Sequence, residues 1–236
     1  MSDKINFKLF KPFGSTLAKA TLPLELLKDF KEDLKKIRKD KQKQKDHDWS
    51  QRLVGAVKEE YLITPEVLLK WKRAFFDPIM VSYTNAHFKH DKIKNILINS
   101  AWYVIQKSGD YNPMHNHSEY VKGNYTLSCV GYLELPKSMK STDNAKTHND
   151  FSGQIEFSEG SENMFSDSRH RINPEVRQWF LFPNYLMHSV YPFKSNKDDE
   201  RISFSFNATV VFDNEYKPTN WILFIHNIDY FCSNLY

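Results

Sequence analysis

Two groups of residues in this sequence have types and spacing that could do chemistry. The first is His115-Asn116-His117, which follows the polar segment Gly109–Pro113. In an extended strand, residues i and i+2 point to the same face, so both imidazoles could reach one metal ion. Two polar loop histidines would give the same pattern. The motif alone therefore leaves both a metal site and a surface loop open.

The second group contains His188 and Arg201. His188 lies just beyond the apolar segment Phe182-Pro183, and Arg201 opens the strand-like segment Arg-Ile-Ser-Phe-Ser-Phe-Asn. Arg201 and Ser203 share one face of that segment. Because an unpaired buried guanidinium is costly, Arg201 needs an anionic partner. That partner is either a ligand carboxylate, held by two parallel hydrogen bonds, or an Asp or Glu of the protein.

Strands must position these residues, and the chain has the composition of strands from Ile96 onward. Short segments rich in β-branched and aromatic residues are separated there by polar or Gly/Pro/Asn/Asp-rich turns. A polar insertion, Lys137–Phe151, is predicted to be a loop. The predicted strands are Ser100–Gln106, Tyr125–Leu135, Gln154–Phe157, Gln178–Phe182 and Arg201–Val211.

The N-terminal part is predicted to be mostly helical after a short strand at Asn6–Phe13. Pro23 opens a helical pattern with one apolar face, and Thr64-Pro65 opens a second helix that runs to Phe76. Asp77-Pro78 is expected to stop or kink this second helix. Helices followed by a run of strands favour an antiparallel β core with helices packed outside, as in a sandwich or jelly roll. The apolar face consists of Leu27, Phe30, Leu34 and Ile37.

Composition bounds the function. The 236 residues are 40% hydrophobic and 15% aromatic, which is ample for a folded core. No dinucleotide-binding or Walker motif occurs, and no apolar run is long enough for a membrane span. Cys129 and Cys232 cannot form a disulfide framework, and the lysine-rich start is unlike a signal peptide, so a cytoplasmic protein is expected. The basic stretch Lys28–Asp48 is either a solvated helix face or a weak footprint for nucleic acid.

In their order and spacing, these residues resemble the non-haem iron, 2-oxoglutarate-dependent oxygenases, and most closely the branch found in marine bacteriophages. The resemblance spans about Trp49 to Val211. It rests on Leu53-Val54-Gly55, Glu60-Tyr61, Trp102, Gly109–Pro113 with the H-x-H motif, Tyr132–Pro136, Gly153–Phe157, Phe182-Pro183 with His188, and Arg201-x-Ser203 with Asn207.

The resemblance implies a double-stranded β-helix, a cupin-like jelly roll, with Fe(II) near its open end. It matches His188 to the distal iron ligand and Arg201 to the arginine that binds the far carboxylate of 2-oxoglutarate. Ser203 and Tyr132 match supporting positions in the 2-oxoglutarate site. The aromatic candidates for the pocket wall are Trp102, Tyr103, Phe157, Phe182 and Phe204, and for each of them ordinary core packing is the alternative.

The remaining iron ligands depart from the common pattern, which has a carboxylate two residues after the first histidine. Either His115 and His117 complete a three-histidine set with His188, or the pair is His117 and Glu119. Alignment of the strand that follows, Ser128–Leu133, favours His115 and His117. His148-Asn149-Asp150 fits the H-x-D pattern literally but lies in the polar insertion.

The function implied is hydroxylation of a C–H bond, with O2 as co-substrate and decarboxylation of 2-oxoglutarate to succinate. Its substrate could be a protein side chain, a nucleobase or a small metabolite; a phage-encoded protein would act in the host cytoplasm. The alternatives are a three-histidine, cupin-type metal dioxygenase without 2-oxoglutarate and a non-catalytic β-sandwich binding module. We expect one domain over 1–236, with a mostly helical support region (1–95), a β-helix core (96–212) and a C-terminal extension (213–236).

Overall fold

A computed structural model describes residues 7–10, 14–51, 55–57, 59–88, 93–117, 125–139, 150–161, 163–164, 167–196 and 199–213. Leu53-Val54, Glu119, His148-Asn149 and the expected C-terminal extension beyond Asp213 lie outside these residues. The helices are α1 (Leu24–Lys39), α2 (Lys41–His47), α3 (Pro65–Trp71) and α4 (Asp77–His87), with a π-helical segment at Lys72–Phe76. The strands are β1 (Phe7–Phe10), β2 (Leu17–Thr21), β3 (Glu59–Leu62), β4 (Ile93–Gln106), β5 (Asn112–His115), β6 (Tyr125–Glu134), β7 (Ile155–Ser158), β8 (Arg169–Ile172), β9 (Gln178–Pro183), β10 (Met187–Val190) and β11 (Arg201–Phe212).

The strands form two antiparallel sheets. The major sheet has the order β1-β2-β9-β6-β11-β4-β3, and the minor sheet has the order β5-β10-β7-β8. From β4 to β11 the chain passes back and forth between the two sheets in the manner of a jelly roll, except that the consecutive strands β7 and β8 both lie in the minor sheet. The predicted mainly β fold, a double-stranded β-helix with helices outside, is confirmed.

Each face of the major sheet covers a different core. The outer face packs on the helices through a large apolar cluster that includes Phe30 of α1, Phe76 and Trp179. The inner face contributes Tyr132 and Phe182 to a smaller cluster between the two sheets. Successive side chains of a strand point to opposite faces, so strands β6 and β9 contribute residues to both clusters.

Helix α1 anchors the helical layer. Its buried residues Leu26, Phe30, Leu34 and Ile37 form one stripe, as the apolar periodicity predicted, while Leu27 is only half-buried. Asp33 lies on the same buried side and accepts hydrogen bonds from Thr64 Oγ1 (2.7 Å) and from Tyr103 Oη (2.8 Å). Asp33 therefore ties α1 both to the start of α3 and to strand β4.

The prediction that the second helix stops near Pro78 was only partly right. Helix α3 ends at Trp71, and the chain continues through the π-helical segment into α4, which includes Pro78 in its first turn. Proline is tolerated there because the first N–H groups of a helix have no intrahelical acceptor. The π-helical segment also buries Phe75 and Phe76 against Trp179, with ring centroids 5.7 Å apart in both pairs.

The N-terminal region contributes more than helices to the fold. Strands β1, β2 and β3 extend the major sheet at its two edges, and β2 pairs with β9 in the register Ala18↔Leu181. Within the described residues, none of the helices is long and apolar enough to cross a membrane.

Candidate functional site

A cavity of about 50 Å³ lies between the two sheets. One wall belongs to the inner face of the major sheet and includes Arg201, Ser203 and Ser205 of β11. The facing wall carries His115, His117 and His188. The structure thus brings the His115-Asn116-His117 motif and the pair His188 and Arg201 together at one cavity.

The pairing of β5 with β10 sets two of the three histidines side by side. His188 is directly opposite His115 in the antiparallel register, and their ring centroids are 4.3 Å apart. His117 follows the end of β5, with its ring centroid 5.1 Å from each of the other two. One nitrogen from each histidine lies within 4.8 Å of the others.

Backbone carbonyls fix the orientation of two of these rings. His115 Nδ1 lies 2.7 Å from the carbonyl oxygen of Pro113, and His188 Nδ1 lies 2.9 Å from that of Leu186. Only a protonated Nδ1 can donate to a carbonyl, so this contact leaves the Nε2 lone pair free. Metal-bound histidines commonly use their second nitrogen in this way.

Asn184 holds His117, a role that the sequence reasoning did not assign. The amide N–H of His117 donates to the Asn184 carbonyl at 2.9 Å, and the Asn184 side chain donates to the His117 carbonyl at 3.2 Å. Asn184 is buried in the turn between β9 and β10. The available signal was an asparagine in the Phe182-Pro183-Asn184 segment just before His188, at a position typical of a turn.

Burial keeps the three imidazoles neutral. Desolvation lowers the pKa of His188 well below its ordinary value, and His115 and His117 lower it further. Desolvation, with a smaller effect from His115, lowers the pKa of His117 to about 4. The pKa of His115 is also lowered, mainly by desolvation. Neutral imidazole is the form that binds metal.

Arg201 is the first residue of β11 and is 1% exposed. Its Nη1 donates to the carbonyl oxygen of Gly153 at 2.8 Å, and its Nε is buried without a hydrogen-bond partner. Among the residues that the structure describes, it forms an ion pair with no carboxylate. Burial lowers the pKa of Arg201, and the adjacent Tyr132 acts in the opposite direction.

Tyr132 and Ser203 flank Arg201. The guanidinium carbon lies 5.1 Å from the Tyr132 ring centroid, and the Tyr132 hydroxyl is buried without a hydrogen-bond partner. Ser203 is opposite Tyr132 in the β11–β6 register and lines the cavity. A buried cation beside an unpartnered hydroxyl is costly unless a ligand completes the interactions.

The residues present fit both iron and 2-oxoglutarate. Three neutral imidazoles form a donor set that suits first-row transition metals. The unpartnered Nε of Arg201 and hydroxyl of Tyr132 are hydrogen-bond donors suited to a carboxylate. Arg201 and the three histidines line the same cavity, and Tyr132 lies beside Arg201.

The other expected aromatic residues divide between the surroundings of the cavity and the core on the helical side. Trp102 and Phe182 line the cavity, and the Phe157 ring lies 6.1 Å from that of His188. Tyr103 and Phe204 do not: both belong to the core on the helical side. For these two the alternative of core packing holds, because Tyr103 follows Trp102, and Phe204 follows Ser203, on strands whose side chains alternate.

Two alternative ligands predicted from the sequence cannot be placed. Glu119 and His148 lie outside the described residues. Asp150 is described, and its carboxylate accepts a hydrogen bond from the backbone N–H of Ser152 at 3.0 Å.

Comparisons with known proteins point in the same direction as this geometry. Residues 100–207 match the sequence model of a family described as "Putative 2OG-Fe(II) oxygenase". No curated protein matches the sequence significantly. The fold is similar to that of a Pseudomonas putida prolyl-4-hydroxylase, with a TM-score of 0.53, 14% identity, and coverage of 82% of this chain and 91% of that one. It is also similar to that of AviO1 from Streptomyces viridochromogenes Tue57, with a TM-score of 0.52, 12% identity, and coverage of 86% and 92%.

The matched segment contains the three histidines, Tyr132, Arg201 and Ser203. Its family name specifies Fe(II) and 2-oxoglutarate, the two cofactors that the donor set of the cavity fits. Residues 100–207 of this jelly-roll protein therefore carry the sequence pattern of a 2OG-Fe(II) oxygenase.

Proposed function

We propose that this protein is an Fe(II)- and 2-oxoglutarate-dependent oxygenase that hydroxylates a C–H bond of its substrate. His115, His117 and His188 hold the iron, and Arg201 binds the far carboxylate of 2-oxoglutarate. The observation that carries the proposal is that three neutral histidines and a buried arginine without a carboxylate partner face one cavity. Bound together, iron and 2-oxoglutarate supply an oxidation in which O2 is the oxidant and 2-oxoglutarate is decarboxylated to succinate.

Hydrogen bonds within the protein orient the three histidines that would bind the metal. The carbonyls of Pro113 and Leu186 hold the rings of His115 and His188 in the tautomer that binds metal. Asn184 fixes the backbone of His117 at the end of β5. These hydrogen bonds hold the three histidines in the positions that a metal ion requires.

Arg201 selects for a diacid. One Nη is already hydrogen-bonded to Gly153, while the Nε donor has no partner. A carboxylate placed against the guanidinium accepts charge-assisted hydrogen bonds, which a lysine cannot supply in the same planar arrangement. The Tyr132 hydroxyl and Ser203 are the neighbouring groups that can donate to the same carboxylate.

Apolar side chains limit the water in the cavity. Val130, Ile155 and Phe182 line it, and each is more than nine-tenths buried. A dry site strengthens the electrostatic interactions inside it and protects reactive species from side reactions.

An anaerobic titration with Fe(II) and then 2-oxoglutarate tests the proposal. We expect a visible metal-to-ligand charge-transfer band when 2-oxoglutarate is added to the iron-loaded protein. His188→Ala should weaken metal binding by more than about 100-fold and abolish the band, because it removes one of three protein ligands. His87→Ala, which changes a histidine outside the cavity at the end of α4, is the matched control. A normal band in His188→Ala would contradict the proposal.

The second ligand requires its own pair of variants. His117→Ala should abolish metal binding, whereas Glu119→Ala should leave it intact, because His117 already lies in the cluster. Metal loss on changing Glu119 alone would show that the ligand pair is His117 and Glu119.

A three-histidine metal dioxygenase without 2-oxoglutarate is the second candidate, favoured by the absence of a carboxylate in the histidine cluster among the described residues. Three imidazoles leave the ion with a higher net charge than a set with one carboxylate. Iron binding without any response to 2-oxoglutarate would favour this candidate. Absence of metal binding would favour a non-catalytic module.

A further inference from the structure

The inner face of β11 continues beyond Arg201 with polar residues that the proposed function does not use. Arg201, Ser203, Ser205 and Asn207 occupy alternate positions and so point to the same side. At about 3.3 Å per residue, Asn207 is roughly 20 Å from Arg201 along the strand. A five-carbon diacid is only about 7 Å long, so Asn207 cannot contact 2-oxoglutarate held at Arg201.

The histidine cluster lies between these two ends of the strand. The ring of His117 is 5.9 Å from that of Trp102, and Trp102 is directly opposite Ser205 in the β11–β4 register. Ser205 lines the cavity at this level, and Asn207 is the next residue on the same face. Asn207 is therefore on the side of the cluster away from Arg201, and because Ser205 and Asn207 are partly exposed while Arg201 is buried, this side is the more open one to a substrate.

Asn207 has a defined orientation and free donors. Its Oδ1 accepts a hydrogen bond from Ser128 Oγ at 2.7 Å, which leaves the two Nδ2 hydrogens for another acceptor. Within the described part of the chain, Nδ2 has no hydrogen-bond partner, and neither do the hydroxyls of Ser205 and of Ser100, which is directly opposite Asn207 on β4. All three residues are partly exposed.

Among the described residues of the two strands that pair with β11, none opposite Ser205 or Asn207 is charged. On this face, the described residues paired with Ser205 and Asn207 are Ser100, Trp102, Ser128 and Val130. Among these described residues a phosphate or carboxylate would find no cationic partner, and an ammonium group would find no anionic one. An uncharged group with a carbonyl acceptor and a nearby donor matches two amide hydrogens flanked by two hydroxyls.

We infer that Ser100, Ser205 and Asn207 form a substrate-binding strip that recognises an uncharged amide group, with Ser128 positioning the Asn207 side chain. The inference rests on the proposed function, because it takes the histidine cluster as the reacting centre. It narrows the substrate to a neutral amide-bearing molecule, such as a peptide segment.

Ligand-detected NMR on the full-length protein, loaded with Zn(II) and 2-oxoglutarate to prevent turnover, tests this inference. The probes are N-acetyl-alaninamide as the neutral amide, N-acetyl-alanine as its carboxylate, methyl glucoside and uridine. We expect N-acetyl-alaninamide to bind best. Asn207→Leu should weaken it about 3- to 10-fold, the range for losing a neutral hydrogen bond. Ser128→Ala should have a smaller effect in the same direction.

Controls separate this inference from the proposed function and from misfolding. Asn85→Leu, an exposed asparagine on α4, should leave amide binding unchanged. Ser205→Ala is the milder variant if Asn207→Leu does not fold, and both should bind 2-oxoglutarate as the wild type does. Equal amide binding in wild type, Asn207→Leu and Ser205→Ala, stronger binding of any other probe, or no binding of the amide would overturn the inference. If the wild-type protein does not bind 2-oxoglutarate, the proposed function is overturned instead.

Discussion

The two faces of strand β11 differ in almost every physical respect. The outward residues Ile202, Phe204, Phe206 and Ala208 are buried in the apolar core beneath the helices. The inward residues Arg201, Ser203, Ser205 and Asn207 are polar and face the space between the sheets. The difference shows that one strand divides its tasks by alternation: the outward face stabilises the fold, and the inward face presents groups whose partners are incomplete.

Buried polar groups that lack hydrogen-bond partners lower the stability of the protein. Arg201 Nε, the Tyr132 hydroxyl and Glu60 Oε1 are all buried without a hydrogen-bond partner. Glu60 belongs to the same inner face, because it is directly opposite the cavity residue Val104 in the β3–β4 register. Substitutions on the outward face should therefore lower the stability of the protein. Substitutions on the inward face should instead weaken ligand binding or, where they remove an unpartnered charge, raise the stability.

The largest effect is expected on the outward face. Phe204 is fully buried and packs against Phe30 with ring centroids 4.8 Å apart. Phe204→Ala should lower the free energy of unfolding by about 3–5 kcal/mol, measured by denaturant titration. The folded variant should bind 2-oxoglutarate nearly as wild type does. A large loss of affinity with unchanged stability would contradict the division between the faces.

Arg201→Lys should produce the opposite result. Losing hydrogen bonds to a charged group costs about 1.5–3 kcal/mol, so 2-oxoglutarate should bind roughly 10- to 100-fold more weakly. Metal affinity should stay near that of the wild type, because Arg201 is not in the histidine cluster. Separate titrations with Fe(II) and with 2-oxoglutarate check this. Unchanged 2-oxoglutarate affinity would remove Arg201 from the site.

Glu60→Gln should stabilise the protein, and increasingly so as the pH rises. Burial, with a smaller contribution from Asp48, raises the pKa of Glu60 to about 8. Between its ordinary pKa and 8 the folded state binds more protons than the unfolded state, so the stability of the wild type falls as the pH rises. The variant lacks this dependence and should gain on the order of 2 kcal/mol between pH 5 and pH 8. If the difference in unfolding free energy between the variant and the wild type were the same at pH 5 and at pH 8, this prediction would be contradicted.

The smallest effect is expected at the surface just before β11. Arg38 donates from both Nη atoms to Glu200, at 2.7 and 2.8 Å. The pair is partly exposed, so Glu200→Gln should cost less than about 1 kcal/mol of stability, and salt should reduce the difference further. Thermal melts at low and high ionic strength measure both effects.

Sequence patterns predicted the parts of this molecule that follow from short-range periodicity. The long strands and the buried stripe of α1 are visible in the alternation and the 3.6-residue period. The family resemblance then assigned His188 and Arg201 to one site. Strand alternation and helical periodicity could not predict that these two residues are close in space. Their presence in one cavity depends on contacts between the sheets that no local pattern encodes.

Features that depend on tertiary packing were missed. Strands β2, β8 and β10 are only four or five residues long and become strands through their neighbours in the sheets. The π-helical segment carried the chain past Pro78 because Phe75 and Phe76 pack against Trp179. The sequence shows Asn184 at a turn position, but its role depends on its hydrogen bond to His117, which is distant in sequence.

The pairing of β2 with β9 constrains the order in which the protein can fold. Ala18 pairs with Leu181, so an N-terminal strand must wait for a partner made far later in synthesis. Pairings between such distant segments close large loops and slow the search for the native state. On the ribosome, the β1–β2 hairpin and α1 can form early, while the major sheet can close only after β9 and then β11, which lies between β6 and β4, have emerged. Until then the apolar face of α1 stays uncovered, so this nascent chain should depend on chaperones more than a helical protein of equal length.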